Sequence, residues 1–281
     1  MIDVALVTCV NLPEPDVDAE ILCRALEAGG VEARTRAWDD PAVSWSDARI
    51  AVLRSCWNYP RHVDRFLAWA EQTASVTTLW NPVEVVRWNA HKSYLLGLER
   101  AGVPVTPTVL VPRGSDLGLD AVLAGRGWDR AVVKPAVSAA SWQTMRVDRD
   151  NRDEGERHLR ELTRARDALV QPYLQSIEGH GERALVWIDG ALTHAVRKSP
   201  RFADEAESVS EAMAIAAPEA EVAERAVAAV GRPLLYGRID VTALPDGSPC
   251  VMELELIEPS LFLRQCPDAC ERFVRAVRRR L

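Results

Sequence analysis

The stretch LLYGRIDVTALPDGSPCVMELELIEP, residues 234–259, constrains the fold most. Two runs of alternating residue type flank Asp246-Gly247, the strongest short-range signal for a β-hairpin. Side chains alternate faces along a strand. Met252, Leu254 and Leu256 are therefore expected to face a core. Glu253 and Glu255 share the opposite face, with Glu258 just beyond. With a two- or four-residue loop centred on Asp246-Gly247, Asp240 falls opposite Glu253 and Arg238 opposite Glu255. A three- or five-residue loop slips this register by one. Directly opposed carboxylates lie about 5 Å apart and destabilise a sheet unless a cation separates them. Two readings follow. The acidic row is a solvated sheet face, or Asp240, Glu253 and Glu255 hold a hard cation such as Mg²⁺ beside a phosphate gripped by an arginine.

The remaining chain gives this hairpin a setting. DVALVTCV, VEARTRAW and ARIAVLRSCW read as strands, with helices between and after them in DVDAEILCRALEAGG and HVDRFLAWAEQT. That order implies a small parallel α/β domain over residues 1–85. No GxGxxG follows the first strand, so dinucleotide binding is poorly supported. Pro82 opens a short helix and AHKSYLLGLERAG forms another. DRAVVKPAVSAASWQTMRV reads as strand, small residues, strand, and ERALVWIDGALTHAVRKS as a hairpin turning at Asp189-Gly190. Residues 146–166 read as loop and solvated helix. PRFADEAESVSEAMA reads as a flexible loop. APEAEVAERAVAAVG is a helix closed by Gly231, and a last helix begins at Pro267, its terminal arginines suiting the helix dipole.

Composition narrows the function class. The 281 residues carry a net charge of −7, which argues against a general nucleic-acid binder. No apolar run reaches the roughly 18–20 residues of a membrane span, and the N-terminus reads as a strand rather than a signal peptide. The six cysteines form no CxxC pair, so a zinc site is not expected and reduced thiols in a cytoplasm are. Cys23 and Cys250 read as small core residues.

Taken in order, VVKP, QPYL, RxD and ExE make the chain resemble the ATP-grasp superfamily of ligases over roughly residues 80–265. VLRSCWNY, the WN before Lys92 and the ELELIEPSLFL ending resemble its cycloserine-forming branch, the O-ureido-serine cyclo-ligases. The resemblance implies an α/β (α+β ATP-grasp) fold. A pre-grasp domain (1–85) would precede two subdomains (86–170 and 171–281) that enclose a nucleotide. It implies ATP and Mg²⁺, with Mn²⁺ as a substitute. Lys92 and Lys134 match the two ATP lysines, and Ser138 lies in the phosphate-covering loop. Gln171, Tyr173 and Leu174 match the adenine hinge, and Glu178 the ribose acid. Arg238 and Lys198 match basic groups near the transferred phosphate, and Asp240, Glu253 and Glu255 the metal acids. Two departures stand out. The loop PAVSAASWQT lacks the glycines usual there, Ala140 included. After Lys198 the chain turns acidic, with Arg201 the sole basic candidate.

The implied reaction phosphorylates a substrate oxygen, usually a carboxylate, which an amine then attacks. No residue is needed as nucleophile. An amino-acid-like small molecule is the expected partner, with no nucleic acid or membrane, and a homodimer is left open. Arg54, Trp57, Tyr59, Glu258, Ser260 and Arg264 are candidate substrate contacts, with Glu258 suited to an ammonium. Trp57 and Tyr59 read equally well as core. Three functions stay open: an intermolecular ligase, an intramolecular cyclo-ligase, and a nucleotide-binding accessory protein without turnover.

Overall fold

A computed structural model describes residues 1–139, 141–179, 181–199 and 209–281. The first unit runs β1 (Ile2–Thr8), α1 (Val17–Ala28), β2 (Ala33–Ala37), β3 (Ala48–Ser55), α2 (Val63–Val76) and β4 (Thr78–Trp80). Its parallel sheet has the order β2-β1-β3-β4, with the crossover helices the sequence called for. Asp16 caps α1 by accepting from the N–H groups of Asp18 and Ala19, which fixes the helix start.

Two short helices follow, α3 (Val83–Asn89) and α4 (Tyr94–Arg100). The middle sheet contains β5 (Val109–Val111), β6 (Ala131–Pro135), β7 (Met145–Val147) and β8 (Ala168–Pro172), ordered β5-β8-β6-β7 and antiparallel. α5 (Leu119–Arg126) and α6 (Arg152–Ala165) pack on it through Leu119, Val122, Leu159 and Leu162. α6 is the charged stretch read as partly solvated, and α5 was not anticipated.

After the single turn α7 (Ser176–Gly179) come β9 (Glu182–Ile188), β10 (Ala191–Lys198), α8 (Ala217–Val230), β11 (Tyr236–Ala243), β12 (Pro249–Glu255) and α9 (Pro267–Arg278). The strands form an antiparallel sheet, β10-β9-β11-β12. One face packs on α8 and on α4, through Ile239, Val241 and Leu254 against Val222, Ala226 and Leu98. The other face shares a core with the first unit, where Val186 and Tyr236 meet Val4, Leu6, Leu22 and α9's Phe273. The arginines ending the chain do more than complement a dipole: Arg279 and Arg280 both pair with Asp189 at the β9–β10 turn. Cys250 is buried as expected, whereas Cys23 is half-buried at the edge of the shared core.

The β11–β12 register is as anticipated at the two decisive pairs, Arg238 with Glu255 and Asp240 with Glu253. It arises differently. The last pair is Ala243 with Pro249, so the loop takes the five residues 244–248, which alone would slip the register by one. A β-bulge between Asp240 and Val241 restores it. The extra residue is Met252. It therefore turns away from the core and lines the cleft beside Glu253, while Leu254 and Leu256 stay buried.

Candidate active site

The middle sheet and the third sheet face each other across a cavity of about 310 Å³. The face of β11 that begins in a core at Tyr236 opens into this cavity at Arg238 and Asp240. Lys134 enters from β6, Lys198 from the end of β10 and Glu182 from the start of β9. Lys92 sits in the break between α3 and α4, where its backbone N–H is tied to the Ala136 carbonyl at 2.7 Å.

Four cations and four acids interlock there. The Lys92 and Lys134 ammonium groups each hold one oxygen of Glu253, at 2.8 and 2.7 Å. Arg238 grips Asp240 through Nε and Nη2, both at 2.8 Å, and reaches Glu255 at 2.7 Å. Lys198 adds a bond to Asp240 at 2.8 Å and also pairs with Glu182. Burial alone would raise the Glu253 carboxyl, but Lys134 and Lys92 outweigh it and hold it well below the ordinary range. Asp240 is depressed the same way, burial losing to Arg238 and Lys198. Glu182 goes the other way: burial, reinforced by the Asp240 charge, pushes it up to about 7 against the pull of Lys198. Glu182 was missed by sequence reasoning.

One end of the cavity is largely apolar, lined by Val132, Pro172, Tyr173, Leu174, Ile177 and Met252. Gln171 is buried and donates to Thr108 at 2.9 Å. The Tyr173 N–H is taken by the Arg130 carbonyl, so among the expected hinge groups it is not on offer to a ligand. The Tyr173 ring lies under Arg130 and Arg146, at 4.7 and 5.4 Å from its centre. Glu178 does not line the cavity. It is exposed, accepts from Gln175 at 2.8 Å and lies 3.6 Å from Arg130.

The loop over the cavity solves its lack of glycine at a conformational cost. Ser141 and Gln143 both adopt left-handed backbone, with φ of 55° and 54°, where glycine is the unstrained residue. Arg166 stacks on Trp142 at 4.7 Å and His158 bonds the Gln143 carbonyl at 2.8 Å, tying the loop to α6. Ser138 lines the cavity, its hydroxyl 3.3 Å from the Pro135 carbonyl. Ala140 and Arg201 lie outside the described residues, as does most of the segment read as a flexible loop.

The far end is lined by Trp57, Glu258 and Ser260. Three expected substrate contacts are elsewhere. Tyr59 is buried in the first unit against Phe66, their ring centres 4.9 Å apart. Arg264 is exposed and lines a groove between α1 and α9. Arg54 is buried over the Tyr236 ring, 3.6 Å from Asp18, and donates to the Pro259 carbonyl at 3.0 Å.

Arg54 belongs to an arrangement that sequence reasoning did not find. Beyond Glu255 the chain leaves the sheet yet stays buried, so its backbone polar groups need other partners. Side chains from far along the sequence supply them. Asn89 bonds both the Leu254 carbonyl and the Leu256 N–H, at 2.7 and 2.8 Å. Asn81 takes the Leu256 and Tyr236 carbonyls and the Leu235 N–H, at 2.8, 2.9 and 2.8 Å. Tyr236 donates to the Ile257 carbonyl at 2.8 Å, and Trp57 to that of Glu258 at 3.0 Å. Asp18 accepts from the N–H groups of Leu261, Phe262 and Leu263, at 2.6, 3.1 and 2.9 Å. This ladder fixes Glu255, Glu258 and Ser260 relative to the first unit. Truncating Asn81 to alanine orphans three buried backbone groups, each worth ~1–3 kcal/mol. A loss of about 3 kcal/mol or more in chemical denaturation is expected, and a change below ~1 kcal/mol would refute the ladder's structural role.

Comparison with known proteins places the chain in a family. Residues 4–81 match the family model for the N-terminal domain of the D-cycloserine synthetase DcsG. The cycloserine biosynthesis protein DcsG of Streptomyces lavendulae is 38% identical over an alignment of 298 positions, spanning 99% of this chain and 98% of that protein. The crystal structure of the D-cycloserine synthetase DcsG superposes with a TM-score of 0.91 at 35% identity, covering 99% of both chains. Two more distant structures share the fold. They are the ATP-grasp ligase PsnB with its minimal precursor (TM-score 0.70, 18% identity, 100% of this chain and 99% of that one) and the D-alanine–D-alanine ligase of Bacillus anthracis (0.69, 14%, 99% and 97%). Because the likeness to DcsG covers 99% of the chain, from the first unit past the hairpin to α9, the chain belongs to the DcsG family and has the ATP-grasp fold.

Proposed function

We propose that the protein is an ATP- and Mg²⁺-dependent carbon–nitrogen ligase that closes a ring within one amino-acid-like molecule. The observation that carries this reading is the charge network on the β11–β12 hairpin, in a chain alike along its whole length to a cycloserine synthetase. Four cations in a cavity with an apolar end suit a nucleoside triphosphate.

The carboxylates are hard oxygen donors of the kind Mg²⁺ takes. Each of the three is engaged by a lysine or arginine, and among the described residues no three His, Cys, Asp or Glu side chains converge as a ready metal site. The set therefore fits a cation that arrives together with phosphates, since the phosphates can take over Lys92 and Lys134. Asp240, Glu253 and Glu255 would hold Mg²⁺, which supplies neutralisation of phosphate charge. Lys92 and Lys134 would turn from Glu253 to phosphate oxygens. Arg238 and Lys198, oriented by Asp240, would face the phosphoryl group during transfer. A substrate carboxylate oxygen takes the terminal phosphoryl group and ADP leaves. A second nitrogen of the same molecule, in O-ureido-serine the ureido N–H borne on oxygen rather than the α-amino group, then attacks the acyl carbon, and inorganic phosphate leaves. Glu182, poised near 7, can accept the proton the attacking nitrogen loses.

ADP release with O-ureido-serine and Mg²⁺ (or Mn²⁺) as the only additions to ATP tests this. Turnover with that single substrate is expected. A requirement for a second amine substrate would replace cyclisation by intermolecular ligation. ATP left intact with every amino-acid pool would remove the enzymatic reading altogether.

A further inference from the structure

Glu258 is 92% buried and lines the cavity, being only 8% exposed. Glu182, Asp240, Glu253 and Glu255 all pair with a lysine or arginine, but the Glu258 carboxylate has no hydrogen bond or ion pair among the described residues. Burial and the Glu255 and Glu253 charges disfavour its ionised form, and Lys92 and Arg238 act on it from a distance in the opposite sense without bonding it. The backbone around it is held rigidly. The Trp57 indole bonds its carbonyl, Tyr236 bonds that of Ile257, and Arg54 that of Pro259. A fixed, buried acid without a partner is costly, and native proteins keep such groups where a ligand satisfies them. The chemistry called for is a cation with N–H donors. Trp57 lines the same end and offers an aromatic ring to a cation.

We propose that Glu258 binds the substrate's ammonium group and thereby restricts the enzyme to amino acids with a free amine. The inference rests on the function proposed above, and sharpens it: the cleft has a phosphate end set by Lys92 and Lys134 and an ammonium end set by Glu258. The carboxyl, pushed up to about 8 by burial and by Glu255, gains most from a cation that lets it ionise.

The test is equilibrium binding rather than turnover. Calorimetric titrations, with Mg²⁺ and a non-hydrolysable ATP analogue present, compare O-ureido-serine with its counterpart lacking the amino group. The native protein is expected to prefer the amine-bearing probe by roughly 30-fold. Glu258→Gln should erase that preference while binding the nucleotide as before, and Glu258→Asp should restore part of it. Equal binding of both probes by the native protein, or no binding of either, overturns the proposal. So does a preference that survives in Glu258→Gln, or a loss of nucleotide affinity in that variant, which would move Glu258 into the metal set. Selective binding without ADP formation would sink the ligase reading and leave ammonium recognition standing.

Discussion

Glu253→Gln is expected to lower kcat/KM by roughly 10³-fold or more and to weaken the fold in a way that MgATP repairs. Glutamine keeps the shape of the side chain and removes its charge. Both Lys92 and Lys134 donate to Glu253 and both are buried, at 7% and 6% exposure. Without the carboxylate two buried ammonium ions repel each other. Breaking a buried pair in this way typically costs ~3–5 kcal/mol. The proposed mechanism gives those lysines a second set of acceptors, the phosphates. The deficit of the variant in thermal melts should therefore be large without nucleotide and much smaller with saturating MgATP. The pH dependence has a definite sign. The Glu253 carboxyl is depressed in the fold, so its contribution is present above the ordinary carboxylate pKa and fades as the pH falls through the acid range. The difference between native protein and variant should shrink on acidification. Turnover within tenfold of native would remove Glu253 from the phosphate machinery. A deficit that nucleotide leaves unchanged would show that the lysines do not exchange partners.

How far the site was legible in the sequence depends on the distance over which its contacts run. The pairing of Arg238 with Glu255 and Asp240 with Glu253 could be counted from the turn. It held because the five-residue loop and the bulge at Met252 shift the register by one in opposite senses. Glu182 was not open to the same counting, which from the turn at Asp189-Gly190 puts Arg197 opposite it. One irregularity between Leu192 and His194 shifts the pairing and sets Glu182 directly opposite Lys198 instead. The side-chain ladder was not countable. Asn81, Asn89 and Asp18 lie roughly 150–250 positions from the backbone they satisfy, and no local period reports such a contact. The one available signal was the burial implied by LIEPSLFL after the last strand residue. A buried run outside a sheet requires side-chain partners for its peptide groups. Arg54 was misplaced for a related reason. A lone arginine in an apolar strand suggests a ligand contact, whereas here it braces the segment that carries Glu258.

Glu258→Gln should stabilise the protein at neutral and alkaline pH. The Glu258 carboxyl is pushed up to about 8 from an ordinary 4.5, first by burial and then by the Glu255 charge. A group that holds its proton more tightly in the fold contributes its full stability below the unfolded value. That contribution disappears as the pH rises through the folded one. Between about pH 4.5 and pH 8 the native protein should therefore lose about 3–5 kcal/mol through this one side chain. Glutamine is neutral throughout and escapes the loss. The two proteins should unfold alike near pH 4.5. The variant should gain steadily above that, by roughly 5–10 °C in melting temperature at pH 8. A substrate ammonium should close the gap from the other side, stabilising the native protein and not the variant. The opposition between the two effects distinguishes roles. A carboxylate kept for structure weakens the fold when it is removed, whereas one held unpaired for a ligand strengthens it and takes substrate selection with it. Equal or lower melting temperatures for the variant at pH 8 would show that Glu258 is compensated within the protein, and the reason to expect an ammonium beside it would be gone.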